Sequence, residues 1–218
     1  MGTFSATANS SSTIGYVQYG SSSWSTGSSG ACQGAYQGTT AAKSRVGIMV
    51  FNGAGAALKG KLIQSITLTI TSSGAGSGSS SKKLTFHKAN YQSLNTGVRG
   101  SAQVGDTLGV LTGKFYSNTV THTLNASSNA ALFAAMKAYF EAGNSVLVLY
   151  NGETSSSSGY SSNYARVTSC TISVTYIDAV VWYCNGGTWR QCTVWYRLNG
   201  AWVQVVPYYN SGGTWVRV

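Results

Sequence analysis

The sequence predicts an all-β protein, with a β-sandwich carrying one short helix over residues 1–177 and a small antiparallel β-meander over 178–218. Three observations carry this reading. Short runs with period-2 alternation or β-branched enrichment recur between stretches rich in Ser, Thr and Gly. One segment has helical periodicity. At the C-terminal end, five columns of residues repeat every 13 positions.

The strand-like runs are Ile14 to Tyr19, Arg45 to Phe51, Leu62 to Thr71, Lys83 to Lys88, Val110 to Tyr116, Thr119 to Leu124, Ser145 to Tyr150 and Tyr164 to Tyr176. In Ile66-Thr67-Leu68-Thr69-Ile70 the apolar residues alternate with threonine, as a half-buried strand requires. The helix runs from Ala130 to Phe140, with Asn129 or a preceding serine as its cap and Gly143 as its left-handed stop. Its Leu132, Met136, Tyr139 and Phe140 share one face and are expected to plug a sheet. Ser5 to Gly30, Ser72 to Ser81 and Ser155 to Ser162 read as loops by composition. An ordered Ser/Gly-rich arm over residues 1–40 needs something to hold it, either a sheet or a partner subunit.

The 13-residue repeat is the sharpest feature. Trp189, Trp202 and Trp215 form one column, and Trp182, Trp195 and Tyr208 form another. Each unit contains Gly-Gly or Asn-Gly, the residues that a two-residue hairpin turn demands. A strand of 11 plus a turn of 2 gives four antiparallel strands, with Arg197 facing Trp202, Trp195 facing Gln204, and Asn210 facing both Trp189 and Trp215. One face then carries Trp182, Trp189, Trp195, Arg197, Trp202, Gln204, Tyr208, Asn210, Trp215 and Arg217. Two readings fit that face. Cross-strand aromatic and Arg–aromatic pairs stabilise a small sheet, and the same residue types dominate interface hot spots. Pro207 marks a weak point in the ladder, because proline cannot donate to it.

Charge and cysteine usage narrow the chemistry. The chain has 14 Lys and Arg against 4 Asp and Glu, a formal net charge of +10, yet only 8% of residues are charged. Paired-carboxylate catalysis or an acidic metal site would have to draw on Asp106, Glu141, Glu153 and Asp178. The bases are scattered, whereas nucleic-acid binders cluster them on one face, so nucleic acid is not an expected partner. Cys32, Cys170, Cys184 and Cys192 show no Cys-x-x-Cys spacing, and neither His87 nor His122 has a neighbouring cysteine, so no metal site is expected. The cysteines read as buried free thiols, with a Cys32–Cys170 bridge left open. No phosphate loop, dinucleotide fingerprint or nucleophile elbow occurs, and no catalytic residue or cofactor is expected. No run of about 20 apolar residues spans a membrane, and the first residues do not form a signal peptide.

The order of Arg45-Val-Gly-Ile-Met-Val-Phe51, Leu62 to Ile70, the unit from Thr121 through Phe140 to Tyr150, and the closing strand from Ala165 to Tyr176 resembles the jelly-roll modules of the DNRLRE and carbohydrate-binding type. The resemblance covers roughly residues 40 to 177. Such modules occur on bacterial surface proteins and on phage tail and minor structural proteins. The family's Asp before the helix is absent, and Thr123-Leu124-Asn125 stands there. The Gly-x-Trp units resemble choline-binding repeats, although those are longer, and hairpin tails at the ends of phage structural proteins. What the resemblance implies is a non-enzymatic virion protein: a tail-fibre, head-fibre or decoration component that forms a homo-oligomer and contacts other virion proteins. A cell-surface carbohydrate-binding module is the alternative, which would place it on the bacterial surface. For a glycan, the loop aromatics Trp24, Tyr36, Tyr150, Tyr160 and Tyr164, with Asn151 and Asn163, form the candidate platform.

Overall fold

The computed structural model describes residues 1–74, 81–156 and 158–178, and beyond them the backbone of 181–185, 188–192, 195–198, 200–204, 208–211 and 214–217. Through residue 178 the chain folds into two antiparallel sheets packed face to face. The first sheet has the order β1 (Gly2–Ala8), β11 (Ala165–Ile177), β6 (Leu62–Ser72), β9 (Thr119–Leu124), and β4 (Ala31–Gln33) also pairs with β11. The second has the order β3 (Trp24–Thr26), β2 (Ile14–Gln18), β5 (Arg45–Val50), β10 (Val146–Leu149), β7 (Lys82–Ala89), β8 (Val104–Gly113). Without β2, β3 and β4 the sheets read 1-11-6-9 and 5-10-7-8, the strand order of a jelly roll built from two Greek keys.

The N-terminal arm is held by a sheet. β1 pairs with β11 over seven residues, from Gly2 opposite Tyr176 to Ala8 opposite Cys170. Composition alone reads this stretch as loop, yet Phe4, Ala6 and Ala8 alternate with Thr3, Ser5 and Thr7, so one face reaches the core. The first sheet therefore includes residues 2–8.

The two sheets show opposite sequence patterns for a physical reason. In the first, one face is buried and the other is open, so Ile66, Leu68 and Ile70 alternate with Thr67, Thr69 and Thr71. In the second, β5 and β10 are covered on both faces and read as unbroken apolar runs, Val46 to Val50 and Val146 to Leu149. Met49, Leu147 and Leu149 join the main core between the sheets. Val46, Ile48, Val146 and Val148 form a second cluster, against which Leu94, Val104, Tyr19, Trp24 and Tyr150 pack.

Across the open face of the first sheet, register aligns hydroxyls strand by strand. Ser5 is opposite Ser173, Ser173 opposite Thr67, and Thr67 opposite Thr123. The next row joins Thr7, Thr171, Thr69 and Thr121. Short rows on either side add Thr3, Thr175 and Ser65, then Ser169, Thr71 and Thr119.

Two short helices, α1 (Ala54–Leu58) and α2 (Gly100–Gln103), lie in connections. The long one, α3 (Ala130–Glu141), buries Leu132, Met136, Tyr139 and Phe140, as its periodicity predicts, and Phe133 with them. Its start differs from expectation. Asn129 sits in the left-handed region at φ 53 and makes no side-chain cap; its carbonyl instead accepts from Phe133 N at 2.8 Å. A side-chain cap needs extended backbone at that position, and Asn is one of the few residues that tolerates the left-handed alternative. The helix ends at Gly143, φ +95, whose N–H reaches Phe140 O at 2.9 Å. Among the described residues no helix is long and apolar enough to cross a membrane.

Beyond Ile177 the 13-residue period appears as hairpins. β12 (Val181–Asn185) pairs with β13 (Thr188–Cys192), β14 (Trp195–Leu198) with β15 (Ala201–Gln204), and β16 (Tyr208–Ser211) with β17 (Thr214–Arg217). Among the described residues the repeat gives three two-stranded antiparallel ladders. Arg197 opposite Trp202, Trp195 opposite Gln204 and Asn210 opposite Trp215 stand as expected. On the first ladder Trp189 stands opposite Cys184. Gly200, just before β15, takes the positive φ of +84 that a two-residue hairpin turn needs. Pro207, which has no N–H to donate, lies outside the described residues, in the interval between β15 and β16.

One backbone contact locks the corner where β4 crosses over β5. A Cβ at Gly47 would lie 2.7 Å from Cys32 N and 2.8 Å from Cys32 O, so neither neighbour is a side chain that can swing away. Gly47→Ala is expected to destabilise the fold by about 1–3 kcal/mol, the usual cost of overpacking. Urea unfolding followed by tryptophan fluorescence checks it, and an unchanged midpoint rejects the lock.

Candidate functional site

At one end of the sandwich a line of aromatic rings runs from the core to the surface, with an arginine inside it. Strand alternation puts Arg45 on the inward face of β5, in step with Gly47 and Met49. A charge placed there requires polar partners. Its guanidinium lies 4.5 Å from the ring centroid of Tyr16 and 5.3 Å from that of Tyr164. Nη1 donates to the Tyr164 hydroxyl and to Cys32 Sγ, the latter at 3.9 Å. Tyr164 in turn donates to Cys32 Sγ at 3.8 Å. Burial holds the Tyr164 hydroxyl far above the usual phenol range, and burial also raises the Cys32 thiol against the opposing pull of Arg45.

Outward from Tyr164 the stack continues. Tyr160 lies 4.5 Å from Tyr164 and Tyr36 lies 4.4 Å from Tyr160, centroid to centroid. Tyr164 is 1% exposed, whereas Tyr36 and Tyr160 are 41% and 42% exposed. Two segments present the outer pair. Tyr36 and Tyr160 form an isolated antiparallel bridge, Gln37 N donates to Gly159 O at 2.8 Å, and Ser161 N donates to Ala35 O at 2.9 Å. Ser155 exchanges two bonds with Gly38, its N to the carbonyl at 2.7 Å and its Oγ from Gly38 N at 3.0 Å. Each aromatic contact of this kind adds about 0.5–1.5 kcal/mol beyond area burial, so the surface rings are held in place before any ligand arrives.

A polar brace lies beneath the loop. Glu153 accepts from Asn163 N at 2.7 Å and from Asn163 Nδ2 at 2.5 Å. Asn163 Oδ1 accepts from Lys83 N at 2.8 Å, which ties the loop to β7. Buried Gln33 donates to the carbonyls of Lys83 and Asn163 and accepts from Thr85 N, linking β4 to the same strand. Lys82 Nζ donates to Ser162 O at 3.1 Å; burial lowers its pKa, and Glu153 opposes that shift.

The predicted glycan platform is therefore divided. Tyr160 and Tyr36 stand together at the surface with Asn163 beneath them, but Tyr164 is a buried support. Trp24 and Tyr150 belong elsewhere, as covers of the second apolar cluster. Trp24 Nε1 donates to Val98 O at 3.0 Å, and Tyr150 stacks on Tyr19 at 4.8 Å. Asn151 Oδ1 accepts from Glu153 N at 3.0 Å, a turn-forming role. Composition cannot separate two aromatic groups that lie on opposite sides of a strand. The member missed in the sequence was Arg45, and its inward position in an otherwise apolar strand was the available signal.

The other candidate groups are bound into the scaffold. Asp106 pairs with Lys88 at 2.9 Å, and Asp178 pairs with Lys61. Glu141 accepts from Lys137 at 2.7 Å and from Ile63 N at 2.8 Å. With Glu153 holding Asn163, each of the four acids has a local structural partner. Both ring nitrogens of His87 face carbonyls, Gly105 O at 3.0 Å and Tyr150 O at 2.9 Å. His122 packs against Phe115 at 5.9 Å, and burial lowers its pKa. Among the described residues no group of three His, Cys, Asp or Glu side chains could hold a metal ion. A groove of about 530 Å³ between β7, β8 and α3 is lined partly by Ala135, Ala138 and Ala142, and none of the predicted site residues enters it.

Of the C-terminal face, the backbone positions of Trp182, Trp189, Trp195, Trp202, Gln204, Tyr208, Asn210, Trp215 and Arg217 are placed in the hairpin strands, while their side chains lie outside the described residues. Arg197 is exposed.

Cys32 and Cys170 are free and buried, so the open question of a bridge is answered by two separate thiols. Burial pushes the Cys170 thiol up to about 12 from 9.0. The native state then holds its proton more tightly than the unfolded chain does. That stabilisation is complete below pH 9 and is lost as the pH rises from about 9 to 12. Between pH 8 and pH 10.5 the wild type should lose roughly 2 kcal/mol more than Cys170→Ala. Urea unfolding of both proteins at the two pH values reads this difference, and parallel losses reject it.

Compared with known proteins, the chain matches no family model and no curated protein.

Proposed function

We propose that this chain is a non-enzymatic virion protein, a fibre or decoration component, whose sandwich contacts a host glycan and whose hairpin repeats serve assembly or anchoring. The observation that carries the reading is the Tyr36–Tyr160 pair. It is exposed at the end of a braced stack and flanked by polar loop groups. Sugar rings offer C–H faces that lie against aromatic rings, and a fixed ring loses little freedom on binding. The four carboxylates favour the same reading, since a general acid or nucleophile needs a carboxyl group that is free to engage substrate.

The hairpins supply the second half of the proposal. A two-stranded hairpin is at best marginally stable in water, and three of them in series, carrying Trp at a fixed register, need additional burial. A sister subunit or a neighbouring virion protein provides it. A cell-surface carbohydrate-binding module would use the same tyrosines, but it would not need the hairpins to join a particle.

A glycan array with the full chain, repeated with Tyr36→Ala and Tyr160→Ala, tests the contact site. Binding to a defined glycan class by the wild type, weakened about tenfold or more by either change, is the expected result. Absence of binding to any glycan rejects it. Analytical ultracentrifugation separates the two readings: a stable oligomer supports the virion protein, and a monomer supports the surface module.

A further inference from the structure

Bases that lie far apart in the sequence converge on the end of the sandwich that carries the tyrosine stack. Arg45 sits inside the stack, against the rings of Tyr16 and Tyr164. Arg166, opposite Cys32 in the β4–β11 register, donates to Ser29 O at 2.8 Å. Burial raises the Tyr164 hydroxyl, and Arg45 and Arg166 both oppose that shift. Lys82 reaches Ser162 O at 3.1 Å, in the loop that presents Tyr160. Lys83 is exposed, and its N–H is bonded to Asn163 at the base of the same loop. Lys43 is exposed too, and it packs on Gly38 so closely that a Cβ there would lie 2.5 Å from Lys43 Cβ. Gly38 follows Tyr36 by two residues and is itself fastened to Ser155.

Five of the fourteen bases are therefore gathered here, with one of the four acids. That acid, Glu153, uses both carboxylate oxygens on Asn163. The other three are paired to lysines elsewhere: Asp178 to Lys61, Asp106 to Lys88, and Glu141 to Lys137. A charge that looks scattered along the chain is thus concentrated by the fold at the one place where aromatic rings are stacked out to the surface.

We infer that the glycan taken by the Tyr36–Tyr160 pair is an acidic one, a saccharide whose ring lies on the tyrosines and whose carboxylate or phosphate is held by the exposed bases Lys43 and Lys83. This rests on the glycan reading of the pair and gives it a substrate class. A neutral sugar hydroxyl exchanges a hydrogen bond to water for one to protein, with a small net gain. A charge-assisted hydrogen bond is roughly twice as strong as a neutral one. Arg45 adds a field of longer reach. Among the described residues no carboxylate touches it, and its surroundings of rings and thiol screen it less than water does. An anion arriving at the outer end of the stack meets the sum of these charges.

The test measures solution binding of the full chain to a uronate polymer and a polyol-phosphate polymer, with a neutral glucan as the reference. Wild type should bind at least one acidic polymer about tenfold or more tighter than the glucan, and the polymer preferred names the anionic group. Raising the salt from about 50 mM to about 300 mM should weaken that binding several-fold. Lys43→Gln and Lys83→Gln combined should lower it on the order of tenfold, and Tyr36→Ala should lower it as far. Lys59→Gln, an exposed and equal change of charge beyond the other end of β5, should bind as wild type. Equal affinity for the glucan, lost in Tyr36→Ala, overturns the acidic class and leaves the tyrosine site standing. Failure to bind either acidic polymer overturns it as well, and the glycan array then decides the tyrosine site separately. Undiminished binding by Tyr36→Ala, or an equal loss in Lys59→Gln, also overturns it, because the charge of the whole chain then accounts for the attraction. So does a preference for single-stranded DNA over both acidic polymers.

Discussion

The pairing of β11 on both sides is the constraint from which the rest of the sandwich follows. This strand of 13 residues meets β1 and β4 along one edge and β6 along the other. Its period of two sends Cys170, Ile172 and Val174 into the core and Thr171, Ser173 and Thr175 outward, and each neighbouring strand must match that parity. A one-residue slip of β1 or β6 would turn its apolar residues out to solvent and bury its hydroxyls. The N-terminal arm is ordered because β11 offers it an edge, and the Ser/Thr rows exist because three other strands accept the parity of β11.

The same strand locates the tyrosine site. Just before β11 begins, Tyr164 is buried over Arg45 and Cys32, and β4 pairs with Ala165, Arg166 and Val167 immediately after it. The sandwich would otherwise be open at this end, and the Tyr16–Arg45–Tyr164 stack closes it. Among the described residues Arg45 has no carboxylate in contact. Its partners are two ring faces, a phenol oxygen and a thiol. A guanidinium suits such a place because it is planar and more weakly hydrated than an ammonium, and an Arg45→Lys exchange would lose both stacking faces. The exposed pair Tyr36 and Tyr160 inherits its fixed position from this buried closure.

Much of this was legible in the sequence where one physical rule acted alone. Alternation identified β6 and β9, the apolar run identified β10, and the i, i+4, i+7, i+8 spacing in α3 named four of its buried residues. Legibility failed where two rules competed. In residues 2–8 the Ser/Thr content that suggests a loop is the open face of a strand, and the alternating Phe4, Ala6 and Ala8 are small enough to pass unnoticed. At Asn129 a residue suited to capping adopted the left-handed backbone that it also tolerates. For the loop aromatics, Trp24 and Tyr160 look alike in sequence, and only the packing of residues 90–104 over the second sheet distinguishes a cover from a platform.

The hairpin repeat shows how a periodic sequence makes register legible through the positions of its turns. Any two-residue turn fixes the pairs beside it, so Arg197–Trp202 and Asn210–Trp215 follow from the positions of the turns alone. Whether a strand then continues for 11 residues or stops after four or five depends on its middle. There the repeat places Thr193-Val194 in one unit and, 13 residues on, Val206-Pro207 in the next. A proline in that column has no N–H to give to a continuous ladder. Short ladders bury little by themselves. Repeating one three times with tryptophan in the same column adds aromatic surface at every copy.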